Sequence, residues 1–264
     1  MNRFWCLFFV ASAVLAVVVF SIGPACGWWF PGVAASPLGQ QIDDLFYLIL
    51  AITGVTFIGV HAVLGYILWK FTGKDGKRAD FQHGSHTLEV VWSIVPAGVL
   101  LFIALYQMDV WAAFRMKSRF DQEALANPIA EVTARQFEWR IRYPAPGKVL
   151  QDTPQPDDLY TVNDLHAPAG KPVVIKLRSE DVLHSFFLPH LRVKQDAVPG
   201  LVIPVWFEAN EPKAYDLVCA ELCGWGHYKM RGQLTAQPQA DFDAYMQKLK
   251  ETQFDDGFKE AAGE

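Results

Sequence analysis

The chain has 264 residues, 52% of them hydrophobic and 14% aromatic, and its mean hydropathy is +0.13. These values exclude an ordinary soluble protein, and the apolar excess lies mostly before residue 115. From residue 120 onward, 22 acidic side chains face 15 basic ones, a net charge of −7. That balance disfavours nucleic-acid binding, which needs a basic face, and it suits a basic protein partner. We therefore expect a membrane part followed by an acidic water-soluble domain.

Residues 1–26 begin with one basic residue, continue as an apolar run and end in small residues. This pattern is typical of a secretory signal peptide, although the apolar core is long and an uncleaved helix is the alternative. Cleavage would remove Cys6 and leave Cys26 available for lipidation, for which the preceding "IGPA" is a poor signal. Only Cys219 and Cys223 would then remain in the exported domain.

Two longer apolar stretches predict a helical hairpin in the membrane over residues 42–115. About 20 helical residues cross the hydrocarbon core, so helices of about 45–69 and 89–114 are long enough to span it. Pro96 lies inside the second helix and predicts a kink. Aromatic residues near the helix ends favour the membrane interface: Trp69, Trp92, Tyr106 and Trp111.

The loop between these helices predicts their orientation, because basic loops stay in the cytoplasm. Its basic residues are Lys70, Lys74, Lys77 and Arg78. Three basic residues after the second helix weaken the bias: Arg115, Lys117 and Arg119. We place both ends of the mature chain outside the cytoplasm.

Short β-type runs separated by Pro, Gly and Asp fill residues 120–240 and predict an antiparallel Greek-key β-sandwich or barrel. Within this domain, residues 144–158 predict a long polar loop. Residues 241–264 begin with helical spacing and predict a surface helix and tail that close the domain. The chain has no C-x-x-C-H motif to attach a haem.

The segment "CAELCGWGHYKM", residues 219–230, combines two cysteines, a histidine and a methionine at spacings of four, four and three. Thiolate, imidazole and thioether are soft donors, and this combination favours copper. Two thiolates so close together can each bridge a pair of copper ions, with a backbone carbonyl between them as another donor. An upstream strand histidine completes the predicted ligand set: His184, Cys219, Glu221 through its carbonyl, Cys223, His227 and Met230.

Each part of this set also has a simpler explanation. A C-x₃-C pair in an exported protein can form a disulfide, and zinc accepts cysteine and histidine, although methionine is a poor zinc ligand. His227 alone would more often be a surface histidine. Only the conjunction of all these residues with the upstream His184 favours copper over the alternatives.

Over nearly its whole length the chain resembles subunit II of haem–copper cytochrome c oxidases. "LEVVWSIVPAGVL" is similar to the second transmembrane helix, "SEDVLHSFFLPHLRVKQDAVPG" to the first copper segment, and "CAELCGWGHYKM" to the second. The resemblance implies a cupredoxin domain with the dinuclear CuA centre on the six predicted ligands. It also implies that the Glu221 side chain reaches a magnesium ion shared with subunit I.

The family resemblance further implies an electron relay that performs no bond chemistry itself. Electrons come from an external donor, a c-type cytochrome or similar protein, and pass to haem in subunit I, where oxygen is reduced to water with proton pumping. The implied partners are subunits I and III, the donor and the lipid bilayer of a bacterial-type inner membrane, with the copper domain outside. Glu89 matches a glutamate at the mouth of a proton channel, although a headgroup-level carboxylate is the simpler interpretation.

One segment departs from the family pattern. Where the family has Gln-Trp-x-Trp, with the first Trp receiving electrons at the surface, this chain has Phe137 and then Trp139. Both are expected to take part in electron input. Nearby basic residues argue against the usual acidic docking surface: Arg135, Arg140 and Arg142.

Other functions compete with this one. A quinol oxidase subunit would lack the copper ligands, and a nitrous oxide reductase would need a large extra domain that the chain has no room for. A membrane-anchored copper carrier or assembly protein remains the alternative, and copurifying haem would separate it from an oxidase subunit.

Overall fold

The computed structural model describes residues 2–28, 32–71, 81 and 83–255. The chain divides into two compact units. One comprises Met1–Phe30 with Asp43–Asp109, and the other Pro31–Ile42 with Val110–Glu264. Parts of the sequence-based predictions lie outside the described residues: the loop charges Lys74, Lys77 and Arg78, and the tail 256–264.

The first unit is helical, and the predicted transmembrane helices are confirmed. The helices of the chain's N-terminal half are α1 (Asn2–Ala25), α2 (Pro37–Lys70), α3 (His86–Tyr106) and α4 (Met108–Arg115). Among the residues that the structure describes, three stretches are long and apolar enough to cross a membrane: Phe4–Gly23, Pro37–Lys70 and His86–Arg115. At most 6% of each is buried within the chain, so their apolar side chains are left for lipid or for other subunits.

The helix bounds differ in two ways from the prediction. Helix α2 begins at Pro37, well before the expected residue 45. Helix α3 continues through Pro96 and ends before Gln107, which separates it from α4; a kink at Pro96 stays a prediction. Helix α1 packs on α2 where Gly65 lets it approach, since a Cβ there would lie 3.2 Å from Val10. Removal of α1 as a signal peptide stays a prediction.

The second unit is the predicted β-sandwich, made of two five-stranded sheets. Their orders are β3-β2-β1-β5-β8 and β4-β10-β9-β6-β7. The strands are β1 (Ala130–Arg135), β2 (Glu138–Tyr143), β3 (Leu159–Val162), β4 (Asp164–Pro168), β5 (Val173–Ser179), β6 (His184–Leu188), β7 (Val193–Ala197), β8 (Ile203–Phe207), β9 (Lys213–Cys219) and β10 (Arg231–Gln237).

The sheets are not purely antiparallel, contrary to the prediction. Strands β1 and β5 pair in parallel, as do β4 and β10. In both pairs the two strands are distant in the sequence, so a long connection joins one strand to the other, as parallel pairing requires. The core between the sheets consists of fully buried, inward-facing side chains such as Trp139, Ile141, Phe186 and Leu217.

Two segments outside the predicted domain bounds also belong to the sandwich. The Ala35 N–H donates to the His190 carbonyl at 2.8 Å, and the Ser36 hydroxyl donates to the Leu191 carbonyl at 2.8 Å. The stretch before α2 is therefore part of this unit. The C-terminal helix α6 (Gln239–Asp255) is confirmed, and it covers the sandwich with its buried Met246. A further short helix, α5 (Gln122–Ala126), precedes β1.

Candidate metal centre

Two strands bring the first pair of predicted ligands together. His184 begins β6 and Cys219 ends β9, and these strands pair with Phe186 opposite Cys219. After this pair, the Ala220 N–H donates to the Ser185 carbonyl at 3.0 Å, so the hydrogen bonding between the two segments continues next to the ligands. The Cys219 sulfur lies 3.9 Å from His184 Nδ1. His184 is fully buried and Cys219 is 9% exposed, so both donors are withdrawn from water.

The loop between β9 and β10 supplies the remaining donors. The Cys223 sulfur lies 3.9 Å from the Cys219 sulfur, 3.7 Å from His227 Nδ1 and 3.8 Å from Met230 Sδ. The carbonyl oxygen of Glu221 lies 3.3 Å from the Cys219 sulfur. Each of the six predicted ligands thus lies close to at least one other, although His184 and Met230 are 46 positions apart in the sequence.

These separations fit a metal site. Two donors on one tetrahedral metal ion, at about 2.3 Å for sulfur and about 2.0 Å for nitrogen, lie roughly 3.5–3.8 Å apart. The side-chain separations of 3.7–3.9 Å lie at the upper end of that range or just above it. Among the described residues, neither Cys219 nor Cys223 forms a disulfide, so both thiols are available as ligands. With a thioether in the set, the donors favour copper over zinc.

The electrostatics of the two thiols also favour a cation. Burial alone would raise the pKa of Cys219, but hydrogen bonds with His184 and with backbone groups lower it to about 6. Burial and the neighbouring Cys219 sulfur raise the pKa of Cys223 to about 12. The second thiol therefore resists ionisation because it is buried and because two negative sulfurs would face each other at 3.9 Å. A bound metal ion supplies the positive charge that lets both ionise.

Two residues that the sequence analysis did not assign to the site support its ligands. His184 Nε2 donates to the Asp181 carboxylate at 2.8 Å, which leaves Nδ1 facing Cys219. Asp181 also accepts from the Gln136 backbone N–H at 2.8 Å, and the Gln136 side-chain amide donates to the Cys223 carbonyl at 2.6 Å. Asp181 could have been found from its position three residues before His184, whereas Gln136 carries no such signal.

Burial and hydrogen bonding shift the pKa values of this pair. Burial acts to lower the pKa of His184, but its bonds with Cys219 and Asp181 outweigh burial, so the pKa rises. Burial acts to raise the pKa of Asp181, but hydrogen bonds from His184, Gln136 and Val182 outweigh it, so the pKa falls. The carboxylate is therefore ionised and holds the imidazole ring in one orientation, as partners of metal-bound histidines do.

The two aromatic residues of the "RQFEWRIRY" segment have different environments. Phe137 is partly exposed, and its ring lies on the backbone of the metal loop, where a Cβ on Gly226 would come within 2.5 Å of it. Trp139 is fully buried, with its ring 6.4 Å from the His184 ring. Trp139 therefore lacks the surface needed to contact a donor, and only a role inside the domain remains for it.

The three arginines of this segment all have acidic partners, and their effect on docking stays a prediction. Arg142 is buried and paired with Asp158 at 2.6 Å and with Glu131 at 3.3 Å. Arg135 and Arg140 both pair with Glu138, at 3.1 and 2.9 Å. Their charges are balanced locally by acidic neighbours.

Glu89 is distant from these residues in the sequence and belongs to the other unit of the chain. It occupies the first turn of α3, which Ser85 caps by accepting from the Leu88 N–H at 3.4 Å. Its side chain is 56% exposed, with His86 at 3.9 Å. This position agrees with a carboxylate at the end of a membrane-spanning helix, and its role stays a prediction.

Two family models match the chain. Residues 26–110 match "Cytochrome C oxidase subunit II, transmembrane domain", and residues 142–236 match "Cytochrome C oxidase subunit II, periplasmic domain". The alternative cytochrome c oxidase subunit 2 of Bradyrhizobium diazoefficiens is 32% identical over 243 residues, which cover 84% of each protein. The cytochrome c oxidase subunit 2 of Alkalihalophilus pseudofirmus is 32% identical over 216 residues, covering 81% of this chain and 60% of that protein.

Among solved structures, the periplasmic domain of subunit II of the Bradyrhizobium japonicum cytochrome oxidase resembles this chain with a TM-score of 0.42. It is 23% identical, and the match covers 48% of this chain and 96% of that domain.

Proposed function

The chain belongs to the cytochrome c oxidase subunit II family, and from this premise we propose that its metal centre is a dinuclear copper site that relays electrons. Membership makes it part of an oxidoreductase complex of the membrane, with a copper-type domain on the outer side. The observation that carries the proposal is the convergence of two cysteine sulfurs, 3.9 Å apart, with a histidine nitrogen near each.

A copper pair bridged by two thiolates accepts and releases one electron at a time with little change in bond lengths. The residues of this chain would hold it as follows. The thiolates of Cys219 and Cys223, the imidazoles of His184 and His227, the Met230 thioether and the Glu221 carbonyl would hold the ions. Burial of His184, Cys219, Cys223 and Met230 limits the access of water, so the surroundings reorganise little when the charge changes.

The partners follow from the family and from the position of the loop. We propose that electrons arrive from a c-type cytochrome or a similar external protein and pass to haem in subunit I, where oxygen is reduced and protons are pumped. The Glu221 side chain, which is half-buried next to the site, would reach a magnesium ion shared with subunit I. Subunit III and the bilayer complete the proposed surroundings of the helical unit, which would cross the inner membrane more than once.

Spectroscopy of the purified full-length chain, loaded with copper in detergent, tests the metal centre. We expect a purple mixed-valence product whose electron paramagnetic resonance spectrum shows one electron shared by equivalent copper ions. A blue mononuclear spectrum, or a disulfide between Cys219 and Cys223 in the native assembly, would contradict the proposal. Purification of the tagged chain without any haem would favour a copper carrier instead.

Glu89 provides a separate test of the proton path. We expect Glu89→Gln to slow proton uptake and turnover of the assembled oxidase while the copper spectrum stays unchanged, because the residue lies outside the copper domain. Glu89→Asp keeps the carboxylate and should retain most of the activity. An unaltered turnover rate in the Gln variant would refute this role.

A further inference from the structure

Trp225 is an unusually exposed aromatic residue for its position within a metal-binding loop. It lies between the ligands Cys223 and His227, and 76% of its surface is accessible. Its ring contacts Phe137 edge-to-face with centroids 5.2 Å apart, and the Lys229 ammonium lies 4.5 Å from the ring centroid. An indole ring held in water by two neighbours is not explained by packing in a core, and exposed tryptophans of this kind are enriched at interfaces.

The residues on both sides of Trp225 are glycines, and they allow Phe137 to lie directly on the loop. A Cβ on Gly224 would lie 3.1 Å from the Phe137 ring and 2.7 Å from the Gln136 side chain. A Cβ on Gly226 would lie 2.5 Å from the same ring. The Phe137 ring therefore packs against the backbone of the loop, while the Trp225 ring stays exposed to solvent.

The same loop exposes two more large side chains, Leu222 at 78% and Tyr228 at 75%. The charged groups beside Phe137 balance one another. Arg135 pairs with Glu138 at 3.1 Å and with Glu180 at 3.9 Å, and Arg140 pairs with Glu138 at 2.9 Å. These four side chains are two basic and two acidic and balance one another, so the surface around Phe137 and Trp225 is aromatic and keeps one basic group, the Lys229 ammonium beside the Trp225 ring.

We propose that Trp225 is the contact through which the external donor delivers electrons to the copper site. This inference rests on the proposed function and deepens it. The partner that fits is a redox protein whose cofactor edge is ringed by uncharged, apolar residues, such as a c-type cytochrome with an apolar haem edge. In each transfer one ferrous haem iron becomes ferric and the copper site gains one electron. No bond forms or breaks, and no proton moves.

Trp225 is better placed for this contact than Phe137. It is separated from Cys223 and from His227 by a single glycine each, so two short covalent paths connect its ring to ligands. Phe137 touches the loop only through van der Waals contacts and is partly buried. Electronic coupling decays more slowly through bonds than across a gap between atoms, which favours the path through Trp225.

The small size of the surface favours a transient donor over a permanent subunit. The Trp225 ring and the edge of Phe137, with ring centroids 5.2 Å apart, form a small patch. Weak redox encounters lie at the lower end of interface sizes, whereas permanent complexes bury much more surface. An aromatic surface whose one remaining charge is Lys229 also predicts that association depends only weakly on salt, since screening acts on charges.

The test uses the assembled oxidase with Trp225→Ala, Trp225→Phe and the control Val149→Ala. Val149 is 51% exposed and lies in the loop 144–158, which follows the opposite end of β2 from Phe137. The probes are two reduced cytochromes c, one with an apolar haem edge and one with a lysine-ringed edge. Three quantities are measured: the dissociation constant of each cytochrome, the second-order rate of electron transfer, and the near-infrared copper spectrum.

We expect Trp225→Ala to weaken binding of the apolar cytochrome and to slow its electron transfer by about tenfold or more, as for an aromatic hot spot. Trp225→Phe should recover part of both losses, Val149→Ala should change neither, and the copper spectrum should be the same throughout. The wild-type rate should change little with salt, and the lysine-ringed cytochrome should react more slowly.

Two results would overturn the inference. One is an unchanged dissociation constant and rate in Trp225→Ala. The other is protection of the Trp225 ring from oxidative footprinting in the assembled oxidase without cytochrome, which would mean that another subunit covers it. A missing copper spectrum in the wild type would refute the proposed function instead, and the dissociation constants, which do not require copper, would still decide the role of Trp225.

Discussion

The proposed metal centre has two halves that are built differently. In the strand half, His184 and Cys219 lie on the paired strands β6 and β9, and Asp181 fixes the imidazole ring. In the loop half, Cys223, His227 and Met230 lie on a segment whose regular structure is one short 3₁₀ turn, His227–Lys229. Its internal backbone bonds are local, such as His227 N–H to the Gly224 carbonyl at 3.1 Å.

This difference indicates how the site assembles. The strand half is formed by folding of the sandwich, because sheet pairing alone brings His184 next to Cys219. The loop half has fewer restraints, chiefly the Gln136 bond to the Cys223 carbonyl and the Phe137 ring on the glycines. The metal is therefore expected to order the loop more than the strands, since binding energy contributes to folding where no structure preforms the site.

The largest expected effect comes from removing one thiolate from each half. Cys219→Ser and Cys223→Ser should both abolish the purple spectrum, because each removes a bridge. Cys223→Ser should retain a copper ion on the strand half, whereas Cys219→Ser should retain less copper, because its remaining donors lie on the loop. Copper content and visible spectra of the purified chain measure this, with Cys26→Ser as a control outside the site. Equal copper loss in both variants would contradict the difference between the halves.

Removal of copper by a chelator should loosen the halves unequally. Hydrogen exchange in residues 222–230 should accelerate by about tenfold or more, while strands β6 and β9 keep their protection, because local opening follows the least restrained segment. Mass-spectrometric hydrogen exchange on the full-length chain measures both regions at once. Equal acceleration in the strands and the loop would show that folding of the sandwich does not by itself hold His184 and Cys219 in place.

Gly226→Ala tests the contact between the loop and Phe137. Gly226 has φ of −91°, so alanine causes no backbone strain, but its Cβ would come within 2.5 Å of the Phe137 ring. Overpacking of this kind costs about 1–3 kcal/mol and should lower the thermal unfolding temperature of the chain. Adding Phe137→Ala should reverse part of the loss. Additive losses in the double variant would show that the two residues do not compete for the same space.

The smallest effect is expected outside the ligands. Asp181→Asn keeps one side-chain oxygen and replaces the other with an NH₂ group. That group faces either the Gln136 N–H or the imidazole N–H, so one of the two hydrogen bonds is lost. Copper affinity should fall by roughly 10–100-fold, which is typical for partners of metal-bound histidines. Asp216→Asn changes an exposed carboxylate on β9 and serves as the control. Equal affinities in the two variants would mean that Asp181 does not orient the ligand.

Much of the site could be predicted from the sequence because copper coordination depends on residue type and local spacing. Cys219, Cys223, His227 and Met230 lie within twelve residues, and the geometry groups them as expected. The sequence analysis did not anticipate the role of Asp181 or the burial of Arg142 in ion pairs. Asp181 depends on the turn before β6, and Arg142 on pairing with Asp158, which lies across the long loop that follows β2.

The sequence by itself determined the apolar helices, the β-rich outer domain and the set of soft donors that we propose to bind the metal, since hydropathy, turn residues and soft ligands are properties of local sequence. Only the tertiary structure decided the parallel strand pairs, the inclusion of Ala35 and Ser36 in the sandwich, the burial of Trp139 and the exposure of Trp225. These features arise where segments distant in the chain share space, and local sequence carries no information about such neighbours.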